Sequence, residues 1–279
     1  MAVTGATGCV GRAVINELLK REINTIAIIR KNPERLRESP FLKTIIFDIS
    51  KPSEKLFDLF GRPDVLIHLA WDGLPNYNSL HHFEVELPNQ YRFLKNLIED
   101  GLKHLLITGT CFEYGMQNGL LHENIPTMPS TPYGFAKDAL RRSLEFLKKY
   151  HTFSLTWARI FYIYGDGQSE SSLYSQLLNA IKSGQKYFNM SKGDQIRDYL
   201  PVEKAAEYLV ELAIKKKDLG IVNVCSGKPV SVRSLVESWI KEMKEEINLN
   251  LGFYPYPEYE PMAFWGSNEK LNKILSESK

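Results

Sequence analysis

A phenol and an ammonium stand four residues apart in the segment TPYGFAK, Thr131–Lys137. At helical pitch this spacing puts Tyr133 and Lys137 on one face, one turn apart. A free phenol titrates near pH 10, too high to exchange protons readily at neutral pH, and a nearby cation favours the phenolate. The pair is therefore suited to passing a proton to or from a bound oxygen. Pro132 fits a first helical turn and Thr131 fits its cap, so both side chains would ride on a rigid element. A packed tyrosine beside a solvated lysine has the same spelling, so the rest of the chain must decide.

A second constellation lies at the N-terminus. In TGATGCVG, Gly5, Gly8 and Gly11 follow an apolar run, MAVT, and precede a helical pattern, AVINELLKR. Glycines there permit a tight turn and let the backbone approach a pyrophosphate at the helix N-terminus, where free N–H groups favour an anion. Thr7 and Val10 belong to the same turn and are assigned to the cofactor with it. The second β-rich run ends at Arg30, followed by Lys31. A carboxylate at this place suits NAD; an arginine suits the additional phosphate of NADP, and Arg12 is a further candidate for that phosphate. NADP(H) is the favoured cofactor, with NAD(H) the alternative.

These residues need elements to position them. TIAIIR, TIIFDI, PDVLIHLA, HLLITGT and FSLTWARIFYIYG are apolar runs of strand length, and amphipathic stretches such as FEVELPNQYRFLKNLIEDG lie between them. The alternation implies an α/β fold, a Rossmann-type doubly wound parallel sheet covered on both faces. After Gly165 the pattern changes to helices mixed with short strands and the aromatic segment YPYPEYEPMAFWG. Residues 1–165 thus read as a dinucleotide-binding domain and 166–279 as a smaller C-terminal α/β substrate-binding lobe, with crossing of the chain between lobes allowed. The net charge is +2 and no basic block occurs, so nucleic acid is not implied. Three cysteines without a C-x-x-C pairing imply neither a zinc site nor a disulfide framework. No apolar run reaches membrane-spanning length, and the chain reads as cytoplasmic with no membrane partner.

The glycine turn, FDI, HLA, TGTCFEYG, YGFAK, GDQIRDYLPVEKAA and VNVCSGKPVSV together resemble the extended short-chain dehydrogenases/reductases, the NAD-dependent epimerase/dehydratase family, over nearly the whole chain. The resemblance implies that Tyr133 is the catalytic acid/base, Lys137 its partner, and Thr110 a hydroxyl that orients the substrate oxygen, with Thr108 as the other candidate. It implies cofactor contacts for Asp48, Ile49 and Ala70, and a diphosphate contact for Arg197, for which pairing with Asp194 or Asp198 is the alternative. Tyr162 stands where the family often has asparagine beside the sugar. Trp71, Tyr77 and His81 are candidates to shape the sugar pocket or to cover the core; Cys111, on the substrate side, reads as a packed thiol, with a further acid/base group as the alternative, and His68 reads as a core strand residue.

The reaction follows from what the catalytic loop contains. The family's 4,6-dehydratases carry Thr-Asp-Glu there, whereas this chain has Thr110-Cys111-Phe112, and Glu113 is out of register with the acid. The whole sequence is most similar to bacterial reductases of dTDP-4-keto-6-deoxyglucose that form dTDP-fucose, and to reductases of related dTDP- or CDP-linked ketosugars. The resemblance thus implies NADPH-dependent reduction of a C4 ketone, in supply of a deoxysugar for a surface polysaccharide. A 4-epimerase with tightly held NAD and a non-catalytic NADP sensor are the competing readings. A homodimer through Phe83–Ile98 and Ala139–Lys149 is a family expectation.

Overall fold

Near-continuous apolar runs become strands buried on both faces. A computed structural model describes residues 1–277. Its strands are β1 (Ala2–Thr4), β2 (Thr25–Ile29), β3 (Leu42–Ile46), β4 (Val65–His68), β5 (His104–Thr110), β6 (Gly119–Leu121) and β7 (Ser154–Ile160). Then follow β8 (Tyr162–Tyr164), β9 (Tyr187–Asn189), β10 (Ile196–Pro201), β11 (Gly220–Val224), β12 (Pro229–Ser231), β13 (Asn248–Asn250) and β14 (Phe264–Gly266). The helices are α1 (Cys9–Lys20), α2 (Leu56–Leu59), α3 (Leu87–Glu99), α4 (Pro132–Leu147), α5 (Leu173–Lys182), α6 (Val202–Ile214), α7 (Val232–Met243) and α8 (Glu269–Ser276).

The main sheet is parallel throughout, in the order β11-β7-β5-β4-β1-β2-β3. One face is covered by α1, α6 and α8 over Val3, Val14, Leu18, Leu209 and Leu271. The other is covered by α2, α3 and α4 over Phe60, Leu94, Leu97, Leu140 and Trp157. The order reverses between β1 and β4. A crevice beyond the carboxyl ends of these strands is where a doubly wound sheet binds ligands.

The stretch FEVELPNQYRFLKNLIEDG is one amphipathic pattern but two structures. His82–Glu86 forms a π-helical turn that runs into α3, whose first turn contains Pro88. Proline has no N–H to give the preceding turn, and a wider turn accommodates that loss.

The small lobe is built from the sheets β12-β10-β8 and β13-β9 with α5 and α7, around Leu177, Phe188, Val236 and Trp239. The chain does not stay there after Gly165. Helices α6 and α8 pack on the main sheet, and β11 is its edge strand. The change of pattern at Gly165 therefore separates segments of sequence rather than two consecutive lobes. No helix among the described residues is long and apolar enough to cross a membrane.

Candidate active site

The N-terminal glycines form a cradle. Gly5 adopts φ +67°, and a Cβ there would lie 2.8 Å from the Ala70 nitrogen. A Cβ on Gly11 would lie 2.1 Å from the Gly5 carbonyl oxygen, so only glycine lets α1 start this close to β1. Gly8 precedes α1 and its amide donates to the Gly5 carbonyl at 3.0 Å; no side chain caps the helix. Gly5, Thr7 and Gly8, just ahead of the start of α1, border a cleft of about 330 Å³ that runs past Ala70 to Arg30, Lys31, Asp48 and Ile49. A cradle that any Cβ would fill, beside an uncapped helix start, fits a dinucleotide diphosphate.

Other assigned residues stand apart from this cleft. Gly11 lies beneath the turn, and Val10 faces the neighbouring chamber. The Arg12 guanidinium lies against Gly167, in a separate groove on the outer side of α1. Arg30 does line the cleft, but its Nη1 donates to Asp72 Oδ2 at 3.0 Å. Asp48 Oδ1 accepts from the amide and hydroxyl of Ser50, at 3.0 and 2.7 Å, so it caps a turn while bordering the cleft.

A second chamber, of about 270 Å³, adjoins the first at Leu69 and Trp71. Thr110, Cys111, Tyr133, Lys137 and Tyr162 line it. Lys137 Nζ donates to the Thr108 carbonyl at 2.9 Å and lies 4.1 Å from the centroid of the Trp71 ring. It is 5.9 Å from the Tyr133 ring centroid. Burial lowers the Lys137 ammonium to about 7, opposed by the carboxylates of Glu113 and Glu86. Burial also holds the Tyr133 phenol well above its ordinary value, with the Thr110 hydroxyl acting in the opposite sense. Thr131 accepts from the Gly134 amide at 3.1 Å and so caps α4, and the Tyr133 amide donates to the Tyr77 carbonyl at 3.1 Å. Tyr77 also lines the chamber.

The sequence profile of the NAD dependent epimerase/dehydratase family matches residues 1–225. The chain belongs to that family. It is 34% identical over 269 residues, 95% of this chain and 98% of the relative, to a dTDP-6-deoxy-L-talose 4-dehydrogenase (NAD(+)) of Aggregatibacter actinomycetemcomitans. A dTDP-4-dehydro-6-deoxyglucose reductase of Escherichia coli is 25% identical over 253 residues, 85% of this chain and 79% of that one. The fold is shared with a UDP-glucuronic acid 4-epimerase from Bacillus cereus solved with UDP-glucuronic acid and NAD; the TM-score is 0.83 at 21% identity, over 99% of this chain and 92% of that one.

Within this epimerase/dehydratase fold, Glu113 has a role that the motif comparison did not give it. It is fully buried and accepts from the Thr110 amide at 2.9 Å, Trp157 Nε1 at 2.9 Å and Arg159 Nε at 2.6 Å. The carboxylate fixes the loop that carries Thr110, and Arg159 is its buried counter-ion. Cys111 is buried, and burial pushes its thiol far up, so it stands as a packed thiol on the chamber wall. The Tyr162 hydroxyl is buried and has no hydrogen-bond partner among the described residues, which leaves a polar group at the chamber for a ligand to satisfy.

Arg197 is almost fully buried and paired with neither aspartate. Its Nη2 donates to Glu260 Oε2 at 2.8 Å, and the guanidinium lies over the Phe264 ring. Asp198 instead accepts from Ser226 and Gly227, and Asp194 from the Tyr256 hydroxyl. His68 bonds Thr4 Oγ1 at 2.8 Å and Gln90 Oε1 at 2.7 Å in the core, and burial keeps it neutral by lowering it to about 3. His81 faces Glu86, whereas its neighbour His82 accepts from the Trp71 indole N–H at 3.1 Å and fixes that ring. His82, Asp72 and Glu260 carry no local motif, and their partners became visible only in three dimensions.

Proposed function

We propose that the chain reduces the C4 ketone of a nucleotide-linked 4-keto-6-deoxyhexose, with dTDP-4-keto-6-deoxyglucose, giving dTDP-fucose, as the favoured substrate. The observation that carries this reading is the convergence of Thr110, Tyr133 and Lys137 on one chamber next to the glycine cradle. A nicotinamide dinucleotide in that cradle would supply the hydride for C4. NADP(H) is the favoured form because Arg30, Lys31 and Arg35 border the cleft.

The chain's own groups do the rest. Tyr133 is held as a neutral phenol, the form required to donate a proton to the C4 oxygen. Thr110, fixed by Glu113, hydrogen-bonds that oxygen and aims it at the phenol. Lys137 adds positive charge beside the phenolate left behind. Trp71, Tyr77, Phe112 and Tyr162 give the chamber an aromatic wall suited to a sugar whose C6 is a methyl group. Arg197 is the cation proposed for the substrate diphosphate. The names of the dTDP-sugar relatives support C4 chemistry on a dTDP-linked 6-deoxyhexose, and the proposal places the product in the cytoplasmic supply of a deoxysugar for a surface polysaccharide. The helical stretches Phe83–Ile98 and Ala139–Lys149 are the proposed homodimer contact, and Phe146 in the second of them is more than half exposed.

The test is oxidation of NADPH or NADH by the purified protein given dTDP-4-keto-6-deoxyglucose, followed by identification of the sugar formed. The expected result is substrate-dependent oxidation that falls about 10²–10⁴-fold in Tyr133→Phe. Oxidation unaffected by Tyr133→Phe, or no reaction by a protein that binds both cofactors, would overturn the proposal.

A further inference from the structure

The rim of the cofactor cleft holds an ion pair whose two halves are unequally anchored. Asp72 is fixed from behind. Its Oδ1 accepts from the Gly73 amide at 3.0 Å, and its own amide donates to Glu86 Oε2 at 3.1 Å. Glu86 is buried and takes a further hydrogen bond from Gln90 Nε2 at 2.8 Å. Gln90 in turn donates to the Ala70 carbonyl, on the wall of the same cleft. Arg30 has no comparable fixture. Its guanidinium reaches Asp72 from the end of β2; the two side chains are equally exposed, at 55% and 54%, so the difference between them lies in the hydrogen bonds that hold Asp72 from behind. The carboxylate is the fixed member of the pair and the guanidinium the movable one.

The charge of Arg30 is therefore already shared at the place where the second strand meets the cofactor. We propose that Asp72 sets the discrimination between the two nicotinamide dinucleotides. A dinucleotide without the additional ribose phosphate leaves the Arg30–Asp72 pair intact. One that carries it must draw Arg30 away from Asp72, and its phosphate must then lie near an anchored carboxylate. Lys31 and Arg35 remain on the cleft to meet such a phosphate, so Asp72 lowers the preference without excluding the phosphorylated form. This inference rests on the reading of the cleft as a nicotinamide dinucleotide site. It does not depend on which sugar is turned over.

Isothermal titration calorimetry with NAD⁺ and NADP⁺ alone, without sugar, tests it. The proteins are wild type, Asp72→Asn, Arg30→Gln and the double variant. Asparagine keeps the Oδ1 acceptor for the Gly73 amide and replaces Oδ2, which accepts from Arg30, with an uncharged NH2, so the charge and the Arg30 hydrogen bond are removed together. Pairs this exposed exchange with modest free energy, and removal of the facing carboxylate adds a further contribution of similar size. Asp72→Asn is thus expected to shift the ratio of dissociation constants towards NADP⁺ by about five- to thirtyfold. The NAD⁺ constant should move by less than about twofold, within what an exposed pair contributes. In the Arg30→Gln background the shift should be smaller, because only the repulsion between the carboxylate and the phosphate is left to remove. An unchanged ratio in Asp72→Asn, or an equal shift without Arg30, would overturn the inference. A protein that bound neither dinucleotide would overturn the reading of the cleft as well. One that bound both as expected but left the ketosugar untouched would overturn only the proposed reaction.

Discussion

Burial acts in opposite directions on the two members of the proposed acid–base pair. It raises the Tyr133 phenol and lowers the Lys137 ammonium to about 7, so both are driven towards their neutral forms. For Lys137 the folded value lies below the ordinary 10.5. Between pH 7 and about 10 the unfolded chain then binds more protons at this site than the folded chain, and stability rises with pH. Urea denaturation at pH 7, 8 and 9 should show that rise in the wild type and a smaller one in Lys137→Met; equal slopes would refute the assignment. Glu113→Gln leaves Arg159 buried without its anionic partner and should cost about 3–5 kcal/mol, seen as a lower urea midpoint with unchanged m. That Tyr133 and Lys137 share one wall, and that the three glycines form one turn, was legible because each constellation is local in sequence. Glu113 was not, because Arg159 is 46 residues away. Asp72 and Glu260 were hidden for the same reason, by separations of 42 and 63 residues from their arginines.

At the scale of elements, the N-terminus of α4 is the part on which the proposed chemistry depends. It is fixed twice, by the Thr131 side chain and by the Tyr77 carbonyl. Thr131→Val keeps the shape and removes the cap. It should cost about 1 kcal/mol in urea denaturation and lower kcat more than it raises KM, because Tyr133 loses its fixed start while the cofactor cradle is untouched. A wild-type kcat in that variant would show that the Tyr77 contact alone suffices. The strands and helices themselves were readable from apolar runs and period. The π-helical turn before α3 was not, since its residues continue the same amphipathic pattern. Neither was the parallel pairing of β6 with β14, whose short strands lie far apart in the chain.

For the whole molecule, the question is how the small lobe meets the large one. Glu260, from the segment that follows β13, neutralises Arg197 of β10. If Arg197 serves the substrate diphosphate, that carboxylate competes with it. Glu260→Gln should then tighten binding of dTDP, measured by calorimetry, by about threefold or more at low salt, with the gain reduced as ionic strength rises. Weaker binding would show that the pair is permanent and that the diphosphate is held elsewhere. The lobe boundary read near Gly165 marks where the pattern changes, but the later return of α6, β11 and α8 to the main sheet leaves no comparable mark in composition.

That return has a mechanical consequence. The chain passes between the lobes after β7, after β10, after β11 and again before α8. Two bodies joined by one strand of backbone swing freely; two bodies sewn together at several points along their boundary resist bending and yield only to small sliding displacements. Substrate entry should accordingly involve loops at the chamber mouth more than rotation of one lobe. The same seams bear on synthesis at the ribosome. The glycine cradle precedes both β11, an edge strand of the main sheet, and α8, which packs on it, so during synthesis the sheet and its cover are completed well after the cradle has emerged.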